Sequence, residues 1–209
     1  MRLRIKFAKT DPMRFTSHLD VYRAWERTFR RAGLKLVFSQ GYNPHPKIQI
    51  AAALPLGFTS QAEIIDVWLN EKRSLEQIQD ELIKKIPPGI RIIDIQQTDE
   101  EETALQNRVI SAEYLIELIE FPTDLEERID ALLASRTLPR EWKEKVYDLR
   151  PLIEKLEVEQ FNGRAPTRLC LRLKAEEGRT GRPEEVLAAL GIPIEEARIH
   201  RTALYLREN

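Results

Sequence analysis

The chain has 209 residues, of which 42% are hydrophobic and 32% are charged, and this balance is typical of a globular protein and excludes a disordered one. No apolar run approaches the roughly 20 residues that a membrane span requires, and the alternating first residues are unlike a secretory signal. The single cysteine, Cys170, excludes an internal disulfide, so we expect a cytoplasmic protein with no membrane partner.

The net charge of −1 conceals a strong asymmetry along the chain. Residues 1–50 contain 11 Lys and Arg against 3 Asp and Glu, whereas residues 99–209 contain 17 against 24. A basic half favours an anionic partner, and an acidic half favours solubility. We therefore expect the ligand to meet the first half of the chain.

The first two elements place basic side chains on the surface. Arg2–Ala8 alternates apolar and charged residues, which predicts a half-buried strand with a wholly cationic outward face, namely Arg2, Arg4 and Lys6. Ser17, with Asp20 three residues later, predicts a helix start, and Gly33 predicts its end. Four arginines share one face of this helix, and we call them the arginine stripe: Arg23, Arg27, Arg30 and Arg31.

The segment Ser39–Lys47, which we call the proline loop, is the most unusual stretch of the sequence. It reads Ser-Gln-Gly-Tyr-Asn-Pro-His-Pro-Lys and lies between the apolar runs Leu34–Phe38 and Ile48–Leu54, which predicts a stiff loop between two strands. Each proline fixes its own φ and favours an extended conformation for the residue before it. The loop is therefore expected to be ordered before a ligand arrives, which lowers the entropic cost of binding.

The remaining elements of the first half predict a compact α+β layer. Glu63–Leu69 and Ile90–Ile95 have the pattern of strands, and a helix between them begins at Ser74 and ends before Pro87. The acidic run Asp99–Glu102 has the composition of a solvated linker. The order of strands and helices predicts a ferredoxin-like βαββαβ domain at residues 1–98, followed by an acidic linker at 99–111.

The second half repeats this order in looser form. Strands are predicted at Ala112–Ile119, Leu152–Phe161, Arg168–Lys174 and Ala197–Leu206, with an Asn162-Gly163 turn between the second and third. Helices are predicted after Thr123 and at Pro183–Gly191. The fold class is therefore predicted to be α+β, with two tandem ferredoxin-like (βαββαβ) subdomains, antiparallel sheets and helices on one face. The second domain is placed at residues 112–209.

The chain resembles the radical-SAM-linked family of unknown function along nearly its whole length. The motifs that carry the resemblance are Arg4–Lys9, Arg14–Asp20, Arg30–Gly33, Ser39–Lys47, Tyr147–Pro151, Arg182–Leu187 and Arg198–Thr202. Members of that family are encoded beside a radical SAM protein or fused to one, often near genes for ribosomal proteins or a ribonuclease. The resemblance implies a radical SAM partner and an RNA or ribosomal setting. With one cysteine, the chain itself has no radical SAM cluster motif.

We interpret the chain as a non-catalytic RNA- or substrate-binding accessory protein for a radical SAM enzyme, with RNA or a ribosomal component as a partner. Basic side chains contact phosphate, and the aromatic rings of Phe15, Phe38 and Tyr42 stack on unpaired bases. No cofactor or metal is expected, because the three histidines lack ligand spacing. The predicted ligand-binding residues are Arg14, Ser17, His18, Asp20, Arg23, Arg27, Arg30, Arg31, Gln40, Tyr42, Asn43, His45, Lys47, Arg150, Arg179, Arg182, His200 and Arg201.

Two alternatives remain open at the level of sequence. One is a metal-independent RNA-processing or RNA-modifying enzyme in which His18 or His45 acts as a general acid or base. The other is a protein–protein adaptor whose basic face binds an acidic protein.

Overall fold

A computed structural model describes residues 1–142, 145–159 and 168–207, which divide into two compact units, Met1–Val109 and Ile110–Arg207. The end of the predicted strand Leu152–Phe161 and the predicted Asn162-Gly163 turn lie outside the described residues. Within the described ranges, no helix is both long and apolar enough to cross a membrane.

The first unit has strands and helices in regular alternation. Its elements are β1 (Arg2–Lys9), α1 (His18–Arg31), β2 (Ile48–Ile50), β3 (Thr59–Trp68), α2 (Leu75–Ile83), β4 (Ile90–Thr98) and α3 (Leu105–Arg108). The β1 strand pairs antiparallel with both β3 and β4, and β2 pairs antiparallel with β3. Both predicted helix starts are confirmed. Ser17 caps α1 and Ser74 caps α2, because each side chain accepts a hydrogen bond from an N–H of the first helical turn.

The core of the first unit joins alternate residues of β1 to one face of α1. Leu3, Ile5 and Phe7 are fully buried, as the alternation predicted. The Phe7 ring meets the Trp25 ring edge-on at 5.0 Å, and Trp25 stacks on Phe29 at 5.3 Å. Burying these rings removes a large apolar area from water and fixes α1 on the sheet. The opposite face of α1 is thereby directed to solvent.

The second unit contains more strands than its sequence predicted. Its elements are β5 (Val109–Leu118), α4 (Leu125–Ala134), β6 (Pro139–Trp142), β7 (Lys145–Asp148), β8 (Ile153–Glu159), β9 (Arg168–Glu176), β10 (Arg179–Thr180), α5 (Pro183–Ala189) and β11 (Ala197–Leu206). The β9 strand pairs antiparallel with β5, β8 and β10, while β6 and β7 pair with each other.

The prediction of two tandem ferredoxin-like βαββαβ subdomains with antiparallel sheets and helices on one face is wrong. The described residues form a strand-rich mixed α/β protein: nine strands belong to mostly antiparallel sheet structure, β6 and β7 form a separate hairpin, and five α-helices accompany them. The strands that the prediction omitted are β6, β7 and β10. They have only two to four residues each, which is too short for alternation to reveal them.

The apolar runs beside the proline loop also differ from the prediction. Leu34–Phe38 contributes only two isolated bridges, Leu36 to Leu69 and Phe38 to Pro46, and regular pairing after the loop is limited to Ile48–Ile50. Short apolar runs do not distinguish a regular strand from an extended connection.

Candidate functional site

The amino end of α1 is held by a mutual contact between Ser17 and Asp20. The Ser17 hydroxyl accepts from the Asp20 N–H at 3.2 Å and donates to the Asp20 carboxylate at 2.7 Å. This hydrogen bond from Ser17, together with Arg23 and the charge of Arg27, lowers the pKa of Asp20 below its ordinary value, against a smaller opposing effect of desolvation. His18 is the first residue of α1 and is half-buried. Ser17 and Asp20 therefore serve the helix start.

The arginine stripe is exposed along its whole length, as predicted. Arg23 lies 3.2 Å from Asp20, and Arg30 lies 2.7 Å from Glu26. Arg27 and Arg31 have no ion pair with any described residue. Surface pairs of this kind are weak and are easily exchanged for another anion. The stripe therefore presents guanidinium groups that are available to a phosphate.

The proline loop is closed at its base by two hydrogen bonds. The Ser39 N–H donates to the His45 carbonyl oxygen at 2.8 Å, and the His45 N–H donates to the Ser39 hydroxyl at 3.0 Å. One residue further out, the Lys47 N–H donates to the Val37 carbonyl oxygen at 2.7 Å. Gly41, with φ of 133°, supplies the backbone conformation that L side chains rarely adopt. The base of the loop is thus held by hydrogen bonds among its own residues and to Val37.

A side chain of α1 ties the proline loop to the helix. The Tyr22 hydroxyl donates to the Pro46 carbonyl oxygen at 3.3 Å. The loop side chains that were predicted to contact ligand all face solvent, and Tyr42 is 100% exposed. These exposed side chains are Gln40, Tyr42, Asn43, His45 and Lys47. The Lys47 ammonium lies 4.4 Å from the centre of the Trp68 ring.

Two further aromatic rings of the first unit are exposed, Phe15 at 76% and Phe38 at 45%. The Arg14 guanidinium lies 5.4 Å from the Phe15 ring centre, while its Nε donates to the Gly57 carbonyl oxygen at 2.7 Å. Arg14 therefore holds two segments together in addition to flanking an exposed ring. Large apolar rings in water are costly in isolation and commonly mark contact surfaces.

The cationic outward face predicted for β1 is largely absent. Arg2 and Arg4 are buried, and both guanidinium groups donate to the Asp66 carboxylate, at 2.6–2.9 Å. Arg4 also donates to Glu102 at 2.6 Å, and Glu102 pairs with Arg108. Glu102 belongs to the run that was predicted to be a solvated linker. We call Arg2, Arg4, Asp66, Glu102 and Arg108 the buried ion cluster; Lys6 remains exposed.

The predicted residues of the second unit have different roles. Arg150 donates from Nε and one terminal nitrogen to the Leu133 carbonyl oxygen, at 3.1 and 2.9 Å, so it caps the end of α4. Arg201 is buried with its guanidinium 5.8 Å from the Tyr114 ring centre, and His200 is half-buried beside it in β11. Arg179 and Arg182 line one cavity.

The histidines and carboxylates do not form a recognisable metal site. The structure places no group of three or more His, Cys, Asp or Glu side chains in a metal-binding arrangement within residues 1–142, 145–159 and 168–207. His45 is exposed in the proline loop, and His200 belongs to the second unit.

Comparisons with known proteins give a family and weak structural likenesses. A search of curated proteins finds no match. An unknown protein from Galdieria sulphuraria is similar at 16% identity and a TM-score of 0.29, over 99% of this chain and 98% of that one. A chain of a Cbf5-Nop10-Gar1 complex is similar at 13% identity and a TM-score of 0.45, over 99% of this chain and 59% of that one.

These structural likenesses are too weak to bear on function, whereas the family match is extensive. The model of the family described as "Uncharacterized protein conserved in bacteria (DUF2344)" matches residues 2–183. That range includes the arginine stripe, the proline loop and strands β1 to β10. The chain belongs to this family of uncharacterized bacterial proteins.

Proposed function

We propose that the first unit binds single-stranded RNA and presents it to a radical SAM enzyme, without itself catalysing a reaction. The observation that carries this proposal is Tyr42, fully exposed at the tip of a loop whose base is hydrogen-bonded and tied to α1. Because the loop that carries this ring is already ordered, less conformational entropy is lost when the ring stacks on a base, and binding is favoured.

The charges beside this ring suit a polyanion. The arginine stripe lies on α1, the same helix that contacts the proline loop through Tyr22. Guanidinium groups bind phosphate oxygens in a planar, bidentate geometry, and the counterions they displace make binding strongly dependent on salt. Exposed Asn43 and His45 add hydrogen-bonding groups that distinguish one unpaired base edge from another.

The proposal is tested by titrating labelled single-stranded RNA with the protein at several salt concentrations. We expect the logarithm of the association constant to fall linearly with the logarithm of salt concentration, by about 0.7 for each phosphate contacted. Tyr42→Ala should weaken binding roughly five- to 150-fold, the equivalent of about 1–3 kcal/mol for one stacked base. Affinity that does not change with salt would contradict an RNA interface.

Arg27→Gln and Arg91→Gln form a matched pair for the arginine stripe. Arg91 is exposed on β4 between Ile90 and Ile92, whose side chains pack in the core with α1, so its own side chain is on the opposite face of the sheet. Arg27→Gln should weaken binding and reduce the salt slope by about 0.7, as expected for one lost phosphate contact. Arg91→Gln should leave both unchanged. Equal losses in the two variants would show that only net charge matters.

The absence of catalysis is tested on the same RNA. We expect the RNA to stay intact during prolonged incubation with the protein. Cleavage that disappears in His45→Ala would replace the binding proposal with the acid–base alternative. The radical SAM partner is tested by co-purification after nuclease treatment. Loss of the partner on nuclease treatment indicates that RNA bridges the two proteins, whereas retention indicates direct contact.

A further inference from the structure

The second unit contains a cavity that the proposed RNA interface does not use. Its volume is about 450 Å³, which is within the usual range for small-molecule sites. One wall is the Tyr147–Leu152 segment, and the other is the β9–β10 turn with the residues that follow it. Tyr147 and Pro151 belong to the first wall, and Arg179 and Arg182 belong to the second.

The first wall is held by hydrogen bonds between its polar side chains and the backbone. The Asp148 carboxylate accepts from the Leu138 N–H at 2.7 Å and from the Arg150 N–H at 3.0 Å. The Arg150 guanidinium is held by the Leu133 carbonyl oxygen, as described above. These contacts hold the segment at Asp148 and Arg150, and the neighbouring Tyr147 and Pro151 line the cavity.

The second wall is held close to the first by a glycine. The Gly181 N–H donates to the Lys174 carbonyl oxygen at 2.9 Å, which closes the β9–β10 turn. A Cβ atom at Gly181 would lie 3.1 Å from the Leu173 side chain and 3.3 Å from the Leu152 side chain. A side chain at this position would therefore crowd both leucines by a few tenths of an ångström, and Leu152 itself lines the cavity.

The chemistry of the lining favours an anion attached to an apolar group. Arg179 is exposed and has no ion pair with any described residue, and Arg182 is half-buried beside it. The Tyr147 hydroxyl is buried, and within the described residues no acceptor lies in hydrogen-bond geometry for its proton. Its burial and the charge of Glu185 raise the pKa of Tyr147, although a hydrogen-bonding contact from Arg182 and the charges of Arg182 and Arg140 oppose this, so the hydroxyl stays protonated and is a donor. Pro151 and Leu152 supply an apolar surface.

We propose that this cavity binds a small phosphorylated ligand of nucleotide size. Arg179 and Arg182 bind the phosphate, the Tyr147 hydroxyl donates a hydrogen bond to it, and the ring of the ligand lies against Pro151 and Leu152. Two guanidinium groups match the charge of a phosphomonoester, and a buried donor without an acceptor gains most from a ligand that supplies one.

The test is a calorimetric titration of the full chain with AMP, inorganic phosphate and adenosine. We expect AMP to bind more tightly than phosphate, and adenosine to bind most weakly. Arg179→Gln should weaken AMP binding at least about tenfold, and Tyr147→Phe roughly fivefold. Arg198→Gln removes an exposed cation of the same unit that does not line the cavity, so it should leave AMP affinity unchanged.

The outcomes separate this site from the RNA interface. No saturable binding of AMP up to millimolar concentrations, or equal AMP affinity in wild type and Arg179→Gln, would overturn the cavity as a ligand site. Phosphate binding as tightly as AMP would overturn the assignment of a nucleotide-sized ligand. Arg179→Gln is expected to keep wild-type affinity for RNA, so failure of either proposal leaves the other intact.

Discussion

Arg4 lies directly opposite Asp66 in the β1–β3 pairing, and its guanidinium donates two hydrogen bonds to that carboxylate, at 2.9 and 2.8 Å. Arg2 donates to the same carboxylate, so two buried bases share Asp66, and Glu102 is the second acid of the cluster. Asp66→Asn would leave both guanidinium groups without their main counter-charge. We expect it to reduce the free energy of unfolding by about 3–5 kcal/mol, measured by urea denaturation.

The control for Asp66→Asn is Glu81→Gln. Glu81 pairs with Lys84 at 3.1 Å, but both side chains are substantially exposed. Exposed pairs contribute little to stability, so Glu81→Gln should unfold at nearly the same urea concentration as the wild type. Similar losses in the two variants would mean that the buried ion cluster contributes no more than a surface pair.

The buried ion cluster also explains why the sequence wrongly predicted an exposed cationic face on β1. Alternation correctly separated Leu3, Ile5 and Phe7 from Arg2, Arg4 and Lys6. It contains no information on what covers the second face of a strand. The Arg2 guanidinium donates to the Glu102 carbonyl oxygen at 2.7 Å, so a segment 100 residues away covers that face. Only the fold shows this long-range contact.

Glu113 of β5 gives the second unit a testable dependence on pH. Burial opposes its ionisation, but the hydrogen bonds from Arg172, Tyr205 and Thr202, with the charge of Arg172, outweigh burial and lower the pKa of Glu113 below its ordinary value of 4.5. Because the folded pKa lies below the unfolded one, ionised Glu113 stabilises the fold above pH 4.5. This stabilisation disappears as the pH falls through the lower, folded value.

Glu113→Gln should therefore destabilise the protein at neutral pH, and the difference from wild type should shrink as the solution is acidified below pH 4.5. Thermal or urea unfolding at a series of pH values measures this difference. Glu117→Gln alters an exposed carboxylate of the same strand that pairs with Arg168, and it should have a smaller effect. A destabilisation by Glu113→Gln that stays constant with pH would argue for a packing defect.

Arg150 is expected to act on stability and not on ligand binding. Its guanidinium donates twice to a carbonyl oxygen in the last turn of α4, where a positive charge is also favoured by the helix dipole. Arg150→Gln should reduce the free energy of unfolding by about 1–3 kcal/mol, measured in urea. Arg179→Gln, at an exposed position, should not. Equal free energies of unfolding for Arg150→Gln and wild type would contradict the proposal that Arg150 stabilises the end of α4.

Tyr22 connects the order of the proline loop to its proposed activity. Tyr22→Phe removes only the hydroxyl that donates to the Pro46 carbonyl oxygen. We expect a small loss of stability, about 1 kcal/mol, and a severalfold weaker affinity for single-stranded RNA, because the freed loop must be ordered on binding. Fluorescence anisotropy at fixed salt measures the affinity. Unchanged affinity would show that the loop needs no support from α1.

Local sequence signals predicted part of this candidate site well. Ser17 and Asp20 revealed the start of α1, and two prolines with a glycine revealed a constrained loop. The sequence did not reveal the partners of Arg150 or the hydrogen bonds between Ser39 and His45 that close the base of the proline loop. Both depend on groups that only folding brings together. A residue type shows what chemistry is available, whereas its use depends on neighbours that are distant in sequence.

The position of Glu102 in the buried ion cluster determines where a fragment that contains only the first unit can end. Glu102 comes after the last strand of the first unit, yet its carboxylate pairs with Arg4 near the beginning of the chain and also with Arg108. A fragment ending soon after β4 would leave Arg2 and Arg4 sharing one carboxylate under a newly hydrated surface. Recombinant versions of the first unit should therefore extend through residue 108, and shorter ones are expected to be prone to unfolding and proteolysis.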